Sequence, residues 1–365
     1  MKKGLIITLY DNNNYGNRLQ NFALQNILSK YINVETYNNV HKDEETKKIR
    51  RQYVMEYNFK LKMKVILSIL RNKISFEKKD IKELKRKRVN KFINFSSKNV
   101  KTTENKDGYD YYIIGSDQVW NPAFARSYII NFGLFAKQDS KVISYAASFG
   151  INQIPEACKS IYRKGLNNIS NISVREEVGA EIVKDLVGKE ALVVVDPTML
   201  LTAEEWRKIA VKPKNIDGKK YILTYFLGKI SDKRKEFLEK VAKENNLEII
   251  NMIQITESET YIAGPSEFLS YIDNASIVFT DSFHACVFSI LFKIPFYILR
   301  REDHTENMNS RLDTLLSKFK LEDRKLNSYE DKVLFDLDYS HTDEILEEER
   351  KKSDQFLRKA LNIGD

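Results

Sequence analysis

Residues 277–295 read IVFTDSFHACVFSILFKIP, and the order of residue types in this stretch decides how the whole chain is read. Ile277, Val278 and Phe279 form a β-branched and aromatic run, the signature of a short buried strand. The run stops at the polar cluster Thr280, Asp281 and Ser282, and an apolar segment of helical length follows. Strands that turn directly into helices build open parallel sheets. In such sheets ligands bind beyond the carboxyl ends of the strands, where helix N-termini offer unpaired N–H groups and a positive dipole end. His284 falls in the first turn of this helix, a position that suits proton transfer beside an anion.

The same unit recurs along the chain. Residues 4–9, 111–114, 142–147, 172–174 and 192–195 predict strands, with a helix after the loop DNNNYGN (11–17) and others at 156–169 and 176–187. Thr202-Ala203-Glu204-Glu205 fits a capping box that starts a further helix. Beyond a linker-like stretch at 212–219, strands at 221–226, 247–253, 277–279 and 296–299 alternate with helices at 232–245, 266–274, 309–318 and about 343–361. The alternation predicts α/β architecture with two Rossmann-like domains. Their expected spans are 1–205 and 215–340, followed by a C-terminal helix over 341–365.

A length of 365 residues accommodates two such cores, and 42% hydrophobic with 30% charged residues describes a folded globular chain. The net charge of +9 is concentrated: residues 42–101 hold 20 Lys/Arg and 7 Asp/Glu, against 40 and 44 in the remainder. This segment, about 42–105, predicts a basic helical insertion in the first domain, with Val54, Tyr57, Leu61 and Val65 at roughly helical spacing. Two cysteines, Cys158 and Cys286, are too few and too scattered for a disulfide framework or a zinc site. The first apolar run ends at Asp11, short of a signal-peptide core, and no later run approaches a membrane span, so a cytoplasmic location is expected. No G-x-x-x-x-G-K-[ST], G-x-G-x-x-G after a strand, H-E-x-x-H or G-x-S-x-G occurs, which removes support for P-loop, dehydrogenase, zinc-protease and α/β-hydrolase chemistry.

Four segments, each at a predicted strand end, are taken together: NYGNRLQNFALQ (14–25), IIGSDQVWNP (113–122), SVRE (173–176) with VVVDPTMLL (193–201), and TDSFHACVFSILFKIPF (280–296). In this combination the chain resembles the polysaccharide pyruvyl transferase family, from the first strand to about Leu316. The resemblance implies a GT-B-like pair of domains facing each other across a cleft that holds the active site. It implies transfer of a pyruvyl group from phosphoenolpyruvate to a sugar, usually as a ketal on two hydroxyls, with no cofactor beyond that co-substrate and no metal. Some relatives carry Asp-Arg-x-His after the late strand; here Asp281 and His284 match while Ser282 replaces the arginine. Arg175 matches a family arginine thought to grip the donor, and Arg300, Arg301 and Arg311 are candidates to supply the missing charge. His284 is the candidate general acid and Asp117 the candidate base toward the acceptor. A helix N-terminus disfavours imidazolium by about 0.3–2 kcal/mol. An anion about 6 Å away favours it by roughly 3 kcal/mol at an effective dielectric of about 20, so a bound donor is expected to charge the ring.

Plainer roles compete at most of these positions. Arg175 can pair with Glu176 or Glu177, and Ser116 and Asp117 can cap a turn. Asn14, Gly16 and Asn17, with Gly115, Ser116 and Gln118, suit an anion- or sugar-binding loop but also ordinary turns. Trp120 suits sugar stacking or core filling, Asp196-Pro197 a structural stop, and His41, His304 and His341 a solvated surface. The acceptor is expected to be a sugar or lipid-linked oligosaccharide of a capsular, exopolysaccharide or cell-wall pathway. The basic segment then reads either as a solvated cover on the first domain or as a peripheral contact with the anionic inner membrane leaflet. It lacks the interleaved aromatics of a nucleic-acid binder. The rival readings are a GT-B glycosyltransferase using a nucleotide sugar and a catalytically silent assembly factor.

Overall fold

A computed structural model describes residues 2–38, 44, 46–49, 51, 79–124, 127–301 and 310–364. Val54, Tyr57, Leu61, Val65, His41 and His304 lie outside the described residues.

The first sheet contains β1 (Lys3–Ile7), β2 (Asn33–Tyr37), β3 (Thr102–Thr103), β4 (Tyr111–Gly115) and β5 (Lys141–Tyr145). Its order is β3-β2-β1-β4-β5, with every pairing parallel. β6 (Ser173–Val174) and β7 (Leu192–Val193) pair with each other and join β5 through bridges at Ile143–Asn171 and Ala147–Val174. The second sheet contains β8 (Tyr221–Tyr225), β9 (Glu248–Asn251), β10 (Ile277–Thr280), β11 (Phe296–Leu299) and β12 (Lys325–Leu326). It is also parallel, in the order β12-β11-β10-β8-β9. The winding reverses between β1 and β4 in one sheet and between β8 and β10 in the other, and each reversal opens a crevice at the strands' carboxyl ends. Strands such as β8 (YILTY) and β10 (IVFT) are buried throughout, which is why they read as unbroken apolar runs.

In the first lobe lie α1 (Tyr15–Leu28), α2 (Lys79–Asn99), α3 (Tyr128–Asn131), α4 (Glu156–Asn168), α5 (Glu177–Val187) and α6 (Ala203–Arg207). In the second lobe α7 (Asp232–Glu244), α8 (Ser258–Tyr261), α9 (Pro265–Asp273), α10 (Phe283–Phe292) and α11 (Ser310–Lys318) follow, and α12 (Thr342–Ala360) ends the chain. The capping box at Thr202 and Glu205 is present. Every residue of α10 is buried, because one apolar cluster continues from the first lobe into the second around it. Phe288 of α10 meets Trp206 edge-on at 5.1 Å, and Trp206 in turn packs on Phe22 of α1 at 5.6 Å. α12 returns to the first lobe, where the Arg350 guanidinium donates to the carbonyls of Met199 (2.9 Å) and Leu201 (3.0 Å).

The helices and longer strands fall within a residue or two of their expected bounds, a margin that helix and strand ends ordinarily show. β2, β3, β12, α3 and α8 are additions. Strands of two residues and helices of four carry no periodic signal, and β2 (NVETY) mixes polar and apolar side chains at the sheet's flank. His341, expected on the surface, is half-buried and bonds the Phe319 carbonyl at 2.7 Å. The basic helix also departs from expectation. α2 is wedged against α1 of the first lobe and α8 and α9 of the second, with Arg88, Phe92 and Phe95 buried and Lys82, Arg86, Lys87 and Lys98 exposed. Among the described residues no helix is long and apolar enough to cross a membrane.

Candidate active site

The loop after β1 and the start of α1 form one wall. Asn14 is the N-cap of α1, and its exposed side chain accepts from the Asn17 N–H at 3.0 Å. Asn17 is tied down: its Oδ1 accepts from the Asp11 N–H and from Arg18, and its Nδ2 reaches toward Asp117 Oδ2 at 3.5 Å. Gly16 matters for what it lacks. A Cβ there would lie 1.9 Å from Nδ1 of His284, so the imidazole of the second lobe rests directly on the α1 backbone. Gly16 thus serves as a seat for the ring.

The loop after β4 forms a second wall. Gly115 admits the backbone of β5, since a Cβ would fall 2.1 Å from the Tyr145 carbonyl oxygen. The Ser116 hydroxyl stands between two acceptors, the Ala146 carbonyl (3.1 Å) and Asp196 Oδ2 (3.2 Å), which share its single proton. Asp117 adopts φ of +57°, a left-handed conformation that aspartate tolerates better than most residues. Its carboxylate lies 3.4 Å from Arg175 Nη2 and 3.9 Å from Arg311 Nη1. Gln118 Nε2 is buried against Gly150 without a partner. Trp120 does not reach the cleft. Its ring is 1% exposed, stacks on Phe132 at 5.6 Å and donates Nε1–H to the Asn131 carbonyl at 3.2 Å, so no sugar can lie on it.

Asp196 is the centre of the site. Its Oδ1 accepts from the N–H (3.0 Å) and hydroxyl (2.7 Å) of Thr198. Its Oδ2 accepts from Arg175 Nη1 at 2.6 Å and faces His284 Nε2 at 3.6 Å, too long for a hydrogen bond but close for an ion pair once the ring is protonated. Arg175 is thus paired with Asp196 and Asp117, while the Glu176 side chain accepts from Ser148 Oγ and the N–H groups of Phe149 and Gly150. Phe283, just before His284, packs under both guanidinium groups, its ring centroid 4.4 Å from Arg175 Cζ and 5.9 Å from Arg311 Cζ.

The charges tune one another. Burial disfavours the Asp196 carboxylate, but His284, Arg175 and the Thr198 N–H outweigh it and hold the group well below the usual carboxylate range. At Asp117 burial is likewise overcome, by Arg175, His284 and Arg311, and the carboxyl is again held low. A carboxylate held this way is a weak proton acceptor, which argues against the expected base and for an electrostatic role. At Arg311 the charged form is the one disfavoured: burial and the nearby Arg175 push its pKa down to about 10.

The remaining expected donor residues fare differently. Asp281 spans the second switch point, accepting from the N–H groups of Leu227 (2.7 Å) and Gly228 (2.9 Å) and from Arg301 Nε (3.1 Å). Its carboxylate therefore holds a loop and an arginine. Ser282 is the buried N-cap of α10, with no side-chain cap bond. Arg301 is held by Asp281 at the edge of the cluster, whereas Arg300 is exposed and its carbonyl accepts from Arg234. Sequence reasoning missed Asp196 and Phe283. Asp196 stood inside a quoted motif, but an Asp-Pro at a strand end is also an ordinary turn.

Two Rossmann-like lobes whose switch-point loops converge on buried arginines and an imidazole define a GT-B-like enzyme. The chain belongs to the polysaccharide pyruvyl transferase family, a family of transferases, whose profile matches residues 14–304. No curated protein matches the chain. Similar solved structures include a Methanocaldococcus jannaschii UDP-GlcNAc 2-epimerase, at 15% identity over 86% of each chain with a TM-score of 0.45. Another is a putative UDP-N-acetylglucosamine 2-epimerase from Listeria monocytogenes, at 10% identity over 87% of this chain and 83% of that one with a TM-score of 0.47. Acinetobacter baumannii MurG is similar at 10% identity over 87% of this chain and 84% of its own, with a TM-score of 0.38.

Proposed function

We propose that the protein transfers a pyruvyl group from phosphoenolpyruvate to a pair of hydroxyls on a glycan precursor, using His284 as general acid and Arg175 and Arg311 to hold the donor. One observation carries this reading: Arg175 Nε, Arg311 Nε and His284 Nε2 are all buried in the same cluster without hydrogen-bond partners. Each such donor costs about 1–3 kcal/mol when left unmade, and an anion with both carboxylate and phosphate oxygens would satisfy several at once. Arg311, and not the exposed Arg300, then replaces the family arginine absent at Ser282.

In the reaction His284 gives its proton to C3 of the enol phosphate while a sugar hydroxyl bonds to C2, and the proton shed by that hydroxyl returns to His284. Phosphate then leaves with the C2–O electron pair, a second hydroxyl bonds to C2 and closes the ketal, and its proton goes to the departing phosphate. The products are the ketal and inorganic phosphate. Asp117 and Asp196 hold the cations in register and stabilise charged His284. A hollow of about 330 Å³ at the ends of β8 and β9, lined by Phe226, Leu227, Ile230, Asn251 and Gln254, offers room beside the site for part of an acceptor.

The test is a thermal-shift titration with phosphoenolpyruvate against uridine and guanosine diphosphates, paired with phosphate-release assays on candidate glycans. Binding at a hundredfold excess over Kd stabilises by about 2.7 kcal/mol. His284→Ala should remain folded and release phosphate roughly 10²–10⁴-fold more slowly. Stabilisation by a nucleoside diphosphate and none by phosphoenolpyruvate would overturn the reading in favour of a nucleotide-sugar enzyme.

A further inference from the structure

The basic helix α2 carries a buried cation that the proposed chemistry does not use. Arg88 is 4% exposed, and among the described residues it has no carboxylate partner. All of its bonds go to neutral acceptors: Nε to Asn13 Oδ1 at 2.6 Å, and Nη1 to the Tyr15 hydroxyl at 2.7 Å and the Tyr261 carbonyl at 2.6 Å. A guanidinium fork suits this task, since it spreads several donors across fixed directions. Asn13 and Tyr15 belong to the first lobe, at the start of α1, and Tyr261 belongs to the second.

Tyr15 doubles the connection. Its hydroxyl donates to the Ala263 carbonyl of the second lobe at 2.9 Å, and its ring stacks on Phe268 of α9 at 4.3 Å and on Phe92 of α2 at 5.1 Å. The guanidinium lies over three rings at this junction, 4.7 Å from Tyr15, 5.3 Å from Phe92 and 5.4 Å from Tyr261. An ion pair between Lys91 and Glu267, whose other oxygen caps the Gly264 N–H, reinforces the contact between α2 and α9. The next residue along α1 is Gly16, the seat of the His284 ring. The junction therefore ends one residue from the point where the two lobes meet at the imidazole.

We propose that Arg88 is a positioning residue: it braces the N-terminus of α1 against the second lobe and so fixes the approach of Gly16 to His284. The proposal rests on the pyruvyl-transfer reading for its kinetic consequence, but the brace itself is a matter of lobe geometry. It assigns the inward face of the basic helix to the active-site scaffold.

The experiment uses the full chain with spin labels at exposed Leu192 of the first lobe and Leu334 of the second, in backgrounds carrying Arg88→Met, Arg88→Lys or Tyr15→Phe. Pulsed dipolar distance distributions and phosphoenolpyruvate-dependent phosphate release are measured on each, with circular dichroism to establish folding. Arg88→Met should broaden the inter-lobe distribution and lower kcat roughly 10–100-fold, with donor KM changed less than about threefold, because misplacing a catalytic group by an ångström costs about that much. Arg88→Lys should recover part of both readouts, and Tyr15→Phe, which keeps the ring and loses only the hydroxyl, should show a smaller loss of the same kind. An unchanged distance distribution in folded Arg88→Met and Tyr15→Phe overturns the brace, and so does a kcat loss without that broadening. If the unsubstituted protein releases no phosphate from phosphoenolpyruvate, the functional reading fails while the distance measurement still decides the brace.

Discussion

Replacing Asp196 with Asn probes the centre of the cleft with almost no change of shape. Thr198 donates to Oδ1 through both its N–H and its hydroxyl, so the carbonyl of an asparagine must stay on that side. The new NH₂ group then points at Arg175 Nη1, which now lies 2.6 Å from Oδ2, and two donors face each other where a charge-assisted bond existed. Removing one member of a buried ion pair costs about 3–5 kcal/mol, because the remaining charge is left in a poorly solvating interior. The pH dependence gives the sharper test. A carboxylate held below its ordinary value stabilises the fold above the unfolded-state pKa near 3.9 and loses that contribution as pH falls toward its folded value. The stability difference between the parent protein and Asp196→Asn should therefore be greatest at neutral pH and shrink by about 1.4 kcal/mol per unit below about pH 4. Urea titrations at pH 7 and near pH 3 measure it. A difference under 1 kcal/mol at pH 7, or one that does not change with acidification, would refute the assignment of Asp196 as the ionised hub.

Gly16→Ala should displace the His284 ring, since the added Cβ would stand 1.9 Å from Nδ1; a kcat/KM loss of about 100-fold with a stability loss of about 1–3 kcal/mol is expected from kinetics and calorimetry. Trp120→Phe should lower stability by roughly 1–2 kcal/mol through the lost bond to Asn131 while leaving KM for the acceptor unchanged, as denaturation and steady-state kinetics would record.

Much of the fold was legible because each lobe is assembled from local units. The strand, polar cluster and apolar helix at 277–295 announce a parallel sheet through residue type alone, and β10, α10 and β11 appear where the pattern put them. The family motifs likewise marked His284, Arg175 and Asp117, since these residues sit at strand ends that the alternation already locates. Partnership between side chains was not legible. Whether Arg175 pairs with its neighbour Glu176 or with Asp196, twenty-one positions away, depends on how β6 and β7 are placed beside the β4 loop. Asp196 looked like a turn, Trp120 suited a sugar platform or the core alike, and Arg88 sat in a lysine-rich run that read as a solvated cover or a membrane contact, because burial is a property of the assembled lobes. The chain by itself determined two sheets and a short register of reactive residues. Only tertiary structure decided which of them share a charge, since Coulomb interactions and desolvation act through ångströms of space and are indifferent to separation along the backbone.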